Sequence, residues 1–237
     1  MEIKILHLYY DLLNLYGEYA NVRILEKRLT DNGFGVTVDN KTIGDEIDLG
    51  GYDFVYIGSG TESKLYRCAE HFLTLKKQAE DFVDSGKILL ATGVSCELLG
   101  KRIKTGTGEN LQCLGLFEFE TEHNFSARKT GDAVCSCSFI DKKIVGFINN
   151  CSTVSKLSEP IFTFELGGNG AGADGARRNN AFGTHLTGPL LVKNPYFLEY
   201  IMEIICDRFG VEKTQVDEEN YQYQSYFITV CELMQDR

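Results

Sequence analysis

Apolar positions in the first hundred residues alternate between short continuous runs and helical spacing. Apolar runs at 3–8, 54–57 and 87–91 predict buried strands, whereas 19–32 and 62–85 carry apolar residues at the spacing of helices, the second as one long helix or two short ones. Strands that alternate with helices indicate a mostly parallel sheet with helices on both faces. The pattern therefore predicts an α/β fold with a doubly wound sheet.

From residue 114 the pattern changes to short strands separated by Gly and Asn, which predicts an antiparallel extension of the sheet. The predicted strands are 116–121, 133–140, 144–148, 161–166 and 181–186. Residues 194–209 return to helical spacing, with Pro195 in the first turn and Gly210 at the stop. We expect one domain over 1–210. Residues 211–237 are expected to form a C-terminal extension, either a final packed helix or a partner-facing arm.

Three glycine-containing loops follow predicted strands, at 58–60, 93–95 and 183–188. In an open α/β sheet the ligand crevice lies beyond the carboxyl ends of the parallel strands. We therefore expect these loops to meet at one site.

Composition restricts the classes of partner. The 237 residues include 24 basic and 34 acidic side chains, and the net charge of −10 argues against nucleic-acid binding. No apolar run approaches the roughly 20 residues that a membrane span needs, and the first residues lack a signal-peptide pattern. We expect a cytoplasmic protein. The eight cysteines include no CxxC pair, so no metal site is predicted.

Seven segments carry motifs that are similar to those of one known family. They are 11–21 (DLLNLYGEYAN), 58–62 (GSGTE), 90–100 (LATGVSCELLG), 128–132 (RKTGD), 146–150 (GFINN), 168–175 (GNGAGADG) and 182–195 (FGTHLTGPLLVKNP). Together they resemble the GatD-type branch of the CobB/CobQ-like class I glutamine amidotransferases, over about residues 3–210. The motifs at 11–21 and 182–195 are specific.

The resemblance implies a class I glutamine amidotransferase fold, which is flavodoxin-like. It also implies a glutaminase that supplies ammonia to a Mur-ligase-like synthetase subunit, in cell-wall or cobamide (cobalamin-type) amidation. No GxxxxGK[ST] motif is present, so no cofactor is expected and work with ATP would belong to the partner.

The departures from the family pattern concern the catalytic residues. The family places a nucleophilic cysteine on a strand-to-helix turn, and this position is Gly93. The family's catalytic histidine is replaced by Thr187, and a second histidine by Asn150. Glycine relieves the backbone strain of such a turn, which is consistent with a lost nucleophile. The resemblance therefore implies a pseudoenzyme.

A relocated catalytic pair is the alternative. Cys96 lies three residues after the elbow, and His185 lies two residues before the lost histidine. On a helix, three residues move a side chain by about 4.5 Å along the axis, away from the oxyanion donors. Cys96 is then a small core residue and His185 fills the space of the family's tyrosine.

The resemblance assigns several positions to the old glutamine pocket. Arg128 matches the family position that meets the carboxylate of glutamine, although a solvated surface arginine fits equally well. Gly60, Val94 and Ser95 line the same pocket. Glu97 replaces the family's glutamine and is expected to weaken carboxylate binding there. His7, His71 and His123 show no ligand spacing and are interpreted as structural.

Three functions follow from this reasoning. The first is a degenerate amidotransferase-fold protein that binds a synthetase partner or a small amino-acid-like ligand. The second is an active glutaminase that uses the Cys96/His185 pair. The third is a hydrolase or transferase that reuses the crevice without covalent catalysis.

Overall fold

The computed structural model describes residues 1–168 and 172–235 of the chain. Its helices are α1 (Tyr19–Asp31), α2 (Glu62–Thr74), α3 (Lys76–Asp84), α4 (Leu190–Lys193), α5 (Pro195–Phe209) and α6 (Tyr221–Gln235). Its strands are β1 (Glu2–Leu8), β2 (Gly35–Lys41), β3 (Phe54–Ile57), β4 (Ile88–Thr92), β5 (Arg102–Lys104), β6 (Asn110–Gln112), β7 (Glu120–His123), β8 (Lys129–Cys137), β9 (Ile144–Asn150), β10 (Ser152–Ser155), β11 (Phe162–Leu166), β12 (Ala173–Asp174), β13 (Ala176–Arg178) and β14 (Ala181–Thr184).

The main sheet has the order β13-β14-β4-β3-β1-β2, and only the edge strand β13 runs antiparallel to its neighbour. Every residue of β3 and β4 is buried, as expected for strands covered by helices on both faces. Thr184 lies opposite Thr92 in the pairing of β14 with β4. The carboxyl ends of the central strands therefore reach the same edge of the sheet.

The predicted fold class is confirmed, and the antiparallel strands are arranged in more detail than the sequence indicated. They form two smaller four-stranded sheets, β10-β7-β5-β6 and β12-β11-β8-β9, beside the main sheet. Only β13 extends the main sheet in the antiparallel direction. The prediction that 181–186 belongs to the antiparallel extension is wrong, because this strand is β14, which pairs parallel with β4 inside the main sheet. The chain passes from one small sheet to the other at Cys151, the single residue between β9 and β10.

Local signals explain the helix ends. The Asn14 side chain accepts a hydrogen bond from the backbone N–H of Tyr19 at 2.8 Å and so caps the start of α1. Pro195 opens α5, and Gly210 closes it in the left-handed conformation with φ of 63°. The predicted 62–85 helix is two helices, α2 and α3, which are joined at Leu75.

The segment after β4 differs from its predicted conformation. Residues Gly93–Leu99 form a fully buried 3-10 helix, where the family resemblance implied a strand-to-helix turn that leads into a regular helix. The predicted strand over 116–121 is confined to β7, because Phe117 and Phe119 are buried in the core instead of pairing in a sheet.

The C-terminal segment ends in a helix that packs on the rest of the chain. Tyr223 and Tyr226 of α6 are buried, and the Tyr226 hydroxyl donates to the Lys143 carbonyl at 2.9 Å. Phe227 and Ile228 of the same helix are exposed. A partner-facing role for this segment stays a prediction. Across residues 1–168 and 172–235, no helix has the length and apolar character required to span a bilayer.

Candidate functional site

The three glycine loops meet at one place, as the sequence predicted. The Gly93 N–H donates to the Leu186 carbonyl at 3.1 Å, which joins the loop after β4 to the loop after β14. The Ser59 hydroxyl, in the loop after β3, accepts from the Val94 N–H at 3.4 Å. The edge of the parallel sheet at which a ligand crevice is expected is therefore centred on Gly93, which is itself buried.

Gly93 has the backbone of a strand-to-helix elbow but no room for a side chain. Its φ is 65°, in the left-handed region that favours glycine. A Cβ atom built there would overlap the Ser59 side chain and lie 2.7 Å from Thr187 Cγ2. The space that a nucleophile would need is filled by these two neighbours.

Thr187 stands beside the elbow as a structural residue. It is fully buried, and its hydroxyl donates to the Phe147 carbonyl at 3.1 Å. Its backbone N–H also donates to the Phe147 carbonyl, at 2.9 Å. A threonine hydroxyl in this arrangement accepts no proton at neutral pH, so the position contains no general base.

Glu18 forms a buried network beneath the elbow that sequence reasoning did not identify. Its carboxylate accepts hydrogen bonds from the Tyr56 and Thr92 hydroxyls and from the Gly188 N–H, the last at 2.9 Å. Burial raises the pKa of Glu18, and these three hydrogen bonds oppose that shift. The segment DLLNLYGEYAN fits plain helix capping, so the only signal was a carboxylate at the first turn of α1.

Three of the predicted pocket residues build the elbow itself. Ser95 is fully buried, and its hydroxyl bonds to the carbonyls of Ile57 and Thr92 at 3.0 and 2.9 Å. Gly60 is packed so closely that a Cβ would lie 2.8 Å from the Leu12 carbonyl oxygen. The Val94 N–H is the candidate oxyanion donor, and Ser59 already accepts from it.

Arg128 reaches the crevice but is paired within the chain. Its guanidinium donates to Glu62 Oε1 at 2.5 Å and to Asn149 Oδ1 at 3.0 Å, and its side chain is 39% exposed. Burial alone would raise the pKa of Glu62, but its N-terminal helix position and Arg128 lower it. A ligand carboxylate would have to compete with Glu62 for the charge of Arg128.

Glu97 lies in a second buried network, on the far side of the 3-10 helix. Its carboxylate accepts from His123 Nε2 at 2.6 Å, from Thr121 Oγ1 at 2.9 Å, and from the Ser152 hydroxyl. Burial alone would raise the pKa of Glu97, but His123 and His185 hold it well below its usual range. The sequence expected this charge to weaken carboxylate binding in the crevice, whereas the structure compensates the charge internally.

Cys96 and His185 lie together in the same network. His185 Nδ1 donates to Asp174 Oδ1 at 2.7 Å, and His185 Nε2 lies 3.4 Å from Glu97 Oε1. Burial would lower the pKa of His185, but the neighbouring Asp174 carboxylate holds it well above its usual range. Burial raises the pKa of the Cys96 thiol to about 11 even though His185 opposes the shift, so the thiol is protonated at neutral pH.

The other histidines lie apart from the crevice or in structural contacts. His71 is hydrogen-bonded to the Tyr9 hydroxyl at 2.8 Å, and burial lowers the pKa of His7 to about 4. His123 is also bonded to Tyr66, at 2.7 Å, and so connects α2 to Glu97. In the motif at 168–175, residues 169–171 lie outside the described part of the chain.

Comparison with known families and proteins gives consistent matches. Residues 4–195 match the model of the CobB/CobQ-like glutamine amidotransferase domain. Subunit GatD of the glutamine-hydrolyzing lipid II isoglutaminyl synthase of Staphylococcus aureus (strain N315) is 29% identical over 223 residues, 92% of this chain and 91% of that protein. The same subunit of Streptococcus pneumoniae (strain ATCC BAA-255 / R6) is 26% identical over 198 residues, 81% of this chain and 76% of its own length.

Solved structures confirm the fold. PurLQS from Thermotoga maritima matches with a TM-score of 0.59 at 14% identity, covering 88% of this chain and 100% of that chain. A second structure, described as a glutamine amidotransferase, matches with a TM-score of 0.58 at 18% identity and covers 84% of this chain and 97% of its own. At these identities the match concerns the fold alone.

Proposed function

Because the chain belongs to the CobB/CobQ-like glutamine amidotransferase domain family, and is of the GatD type, we propose that it is a non-hydrolysing GatD-like subunit. It pairs with a Mur-ligase-like synthetase subunit and does not release ammonia from glutamine itself. The observation that carries this proposal is the filled space over Gly93, where Ser59 and Thr187 occupy the volume of a nucleophile's side chain.

The loss of the nucleophile is supported by the packing around it. Amide hydrolysis of this class needs a nucleophile, a base and oxyanion donors that converge on one carbonyl. At the elbow the nucleophile is absent, and the position of the base is occupied by Thr187, which cannot act as one. The candidate oxyanion donor, the Val94 N–H, is directed at Ser59. A cysteine at residue 93 alone would clash, so one substitution does not restore the reaction.

The pairing of Arg128 favours a protein partner over an amino-acid ligand. The short contact between Arg128 and Glu62 leaves no unpaired cation to bind a ligand carboxylate at this point of the crevice. Displacing Glu62 would expose a partly buried carboxylate without its partner, which costs free energy. Binding of an amino acid in the old glutamine pocket is therefore less well supported than binding of a protein partner.

The synthetase complex tests this function. We expect this chain, co-expressed with its Mur-ligase-like partner, to form a complex that amidates its substrate with ammonium chloride and not with glutamine. The measurement is amidated product by mass spectrometry with each nitrogen source. A complex with a GatD that carries cysteine at the elbow is the positive control. Glutamine-dependent amidation by this complex would contradict the loss of glutaminase activity. Failure to form a complex would contradict the pairing with a Mur-ligase-like subunit.

An active glutaminase with the pair Cys96/His185 is the second candidate. It is favoured by one observation, the orientation of His185 by Asp174 as in a Cys-His-Asp arrangement, although His185 Nε2 has no hydrogen-bond partner among the described residues. Against it, Cys96 is only 2% exposed and its pKa of about 11 keeps it as a thiol. The first proposal therefore explains the geometry better.

A further inference from the structure

A separate cavity lies on the opposite face of β9 from the crevice. Asn149 binds Arg128 and Tyr16 on the crevice side. Adjacent residues of a strand point to opposite faces, and Asn150 accordingly lines a cavity of about 270 Å³ between the two smaller sheets. This volume lies just below the range of about 300–1,000 Å³ that is typical of small-molecule sites, so it suits a small ligand.

Two hydrogen-bond donors face this cavity from paired strand positions. Lys129 on β8 lies directly opposite Asn150 on β9, so their side chains share one face. Lys129 Nζ reaches only the Ser152 carbonyl, at 3.4 Å, and has no carboxylate partner among the described residues. Asn150 Oδ1 accepts from the Ser152 N–H at 3.2 Å, which fixes the amide orientation. Asn150 Nδ2 is then a donor, and it has no acceptor in the described ranges.

Among the remaining polar groups of the wall, the Asp174 carboxylate and the Ser152 hydroxyl are paired, whereas His185 Nε2 is buried without a hydrogen-bond partner in the described residues. The Asp174 carboxylate accepts from Thr184 Oγ1 at 2.5 Å and from the His185 N–H at 3.0 Å, in addition to His185 Nδ1. The Asp174 charge is compensated by His185, and the Ser152 hydroxyl donates to Glu97. Ile148, Val154 and Phe164 supply apolar surface. Within the described residues, the wall therefore presents the Lys129 ammonium group and the Asn150 amide donor beside apolar surface.

We propose that this cavity binds a small organic carboxylate with a short aliphatic body. The carboxylate accepts from Lys129 Nζ and Asn150 Nδ2, and the aliphatic part packs against Ile148, Val154 and Phe164. Hydrogen bonds to charged groups are the strong ones, and a lysine contributes a point charge that favours an anion over a neutral amide. This site does not depend on the loss of glutaminase activity at Gly93.

The test compares matched ligands and matched variants by NMR titration of the full chain. Propionate and butyrate are the carboxylate probes, and propionamide and butyramide are their neutral counterparts. We expect saturable shifts at residues around Asn150 with the carboxylates, and binding at least about tenfold weaker in Lys129→Ala. Arg128→Ala is the control, since the adjacent side chain faces the crevice. Its affinity should change less than about twofold.

Circular dichroism confirms that each variant is folded before its affinity is compared. A second variant, Asn150→Asp, places a carboxylate at the site and should abolish binding of the acids through like-charge repulsion. The proposal is overturned if the carboxylates produce no saturable shifts around Asn150. It is also overturned if the amides bind equally well, or if Arg128→Ala removes binding and Lys129→Ala does not.

Discussion

Replacing Gly93 by alanine will destabilise the protein by about 2–5 kcal/mol, which is a large part of the stability of a typical domain. Two costs add. A non-glycine residue at φ of 65° costs about 1–2 kcal/mol, and forcing a methyl group into filled space costs about 1–3 kcal/mol. The methyl group would overlap Ser59 and press on Thr187. Urea unfolding monitored by circular dichroism measures the effect.

A matched glycine separates the two costs. Gly210 has φ of 63°, and a Cβ there meets nothing within 4 Å, so Gly210→Ala reports the backbone cost alone. In a Ser59→Gly background, most of the packing cost of Gly93→Ala should disappear. The loss of unfolding free energy should then approach that of Gly210→Ala. A double-mutant cycle of Ser59 and Gly93 should therefore give a coupling of about 1–3 kcal/mol. If Gly93→Ala costs the same with and without Ser59, the space over the elbow is not filled as described.

Replacing Glu97 by glutamine, the residue of the family pattern, will cost about 3–5 kcal/mol at neutral pH. Glu97 is fully buried and lies between His123 and His185, so the substitution leaves buried imidazoles without their common carboxylate. Urea unfolding at a series of pH values measures this effect. Glu118→Gln is the control, because Glu118 forms an exposed pair with Lys101. Equal costs for the two variants would contradict the network.

The pH dependence of stability follows from the direction of each pKa shift. The pKa of Glu97 is lowered from 4.5, so its contribution is complete above 4.5 and is lost as the pH falls toward the folded-state pKa. The pKa of His185 is raised well above 6.5, so its contribution is complete below 6.5 and is lost as the pH rises through the folded-state pKa. The network therefore stabilises most between about pH 4.5 and 6.5. Glu97→Gln should flatten the acidic limb of the stability curve.

Much of the scaffold could be predicted because its signals are local. The apolar runs of β3 and β4, Gly33 after α1, and Pro195 and Gly210 around α5 each act within a few residues. The meeting of the three glycine loops also followed from a general rule on parallel sheets. The short strands were placed less well, because sheets such as β10-β7-β5-β6 are defined by pairing between distant residues.

The site was predictable only in part. The sequence identified Gly93 and Thr187 as departures from the family pattern, but not that Ser59 fills the space between them. His123 was interpreted as structural and Glu97 was expected beside the crevice. Their contact was missed, because nothing in the sequence indicates that β7 brings His123 Nε2 within 2.6 Å of the Glu97 carboxylate. Asp174 and Glu18 were missed for the same reason, since both are defined by contacts across the fold.

The chain keeps the amidotransferase fold, and we propose that it has lost the glutaminase reaction. Ammonia release from glutamine by the synthetase complex at neutral pH tests it most directly, with Cys96→Ala measured in parallel. We expect ammonia at the level of a protein-free blank for both proteins. Saturable release by the wild type that disappears in Cys96→Ala would contradict it and establish the relocated pair.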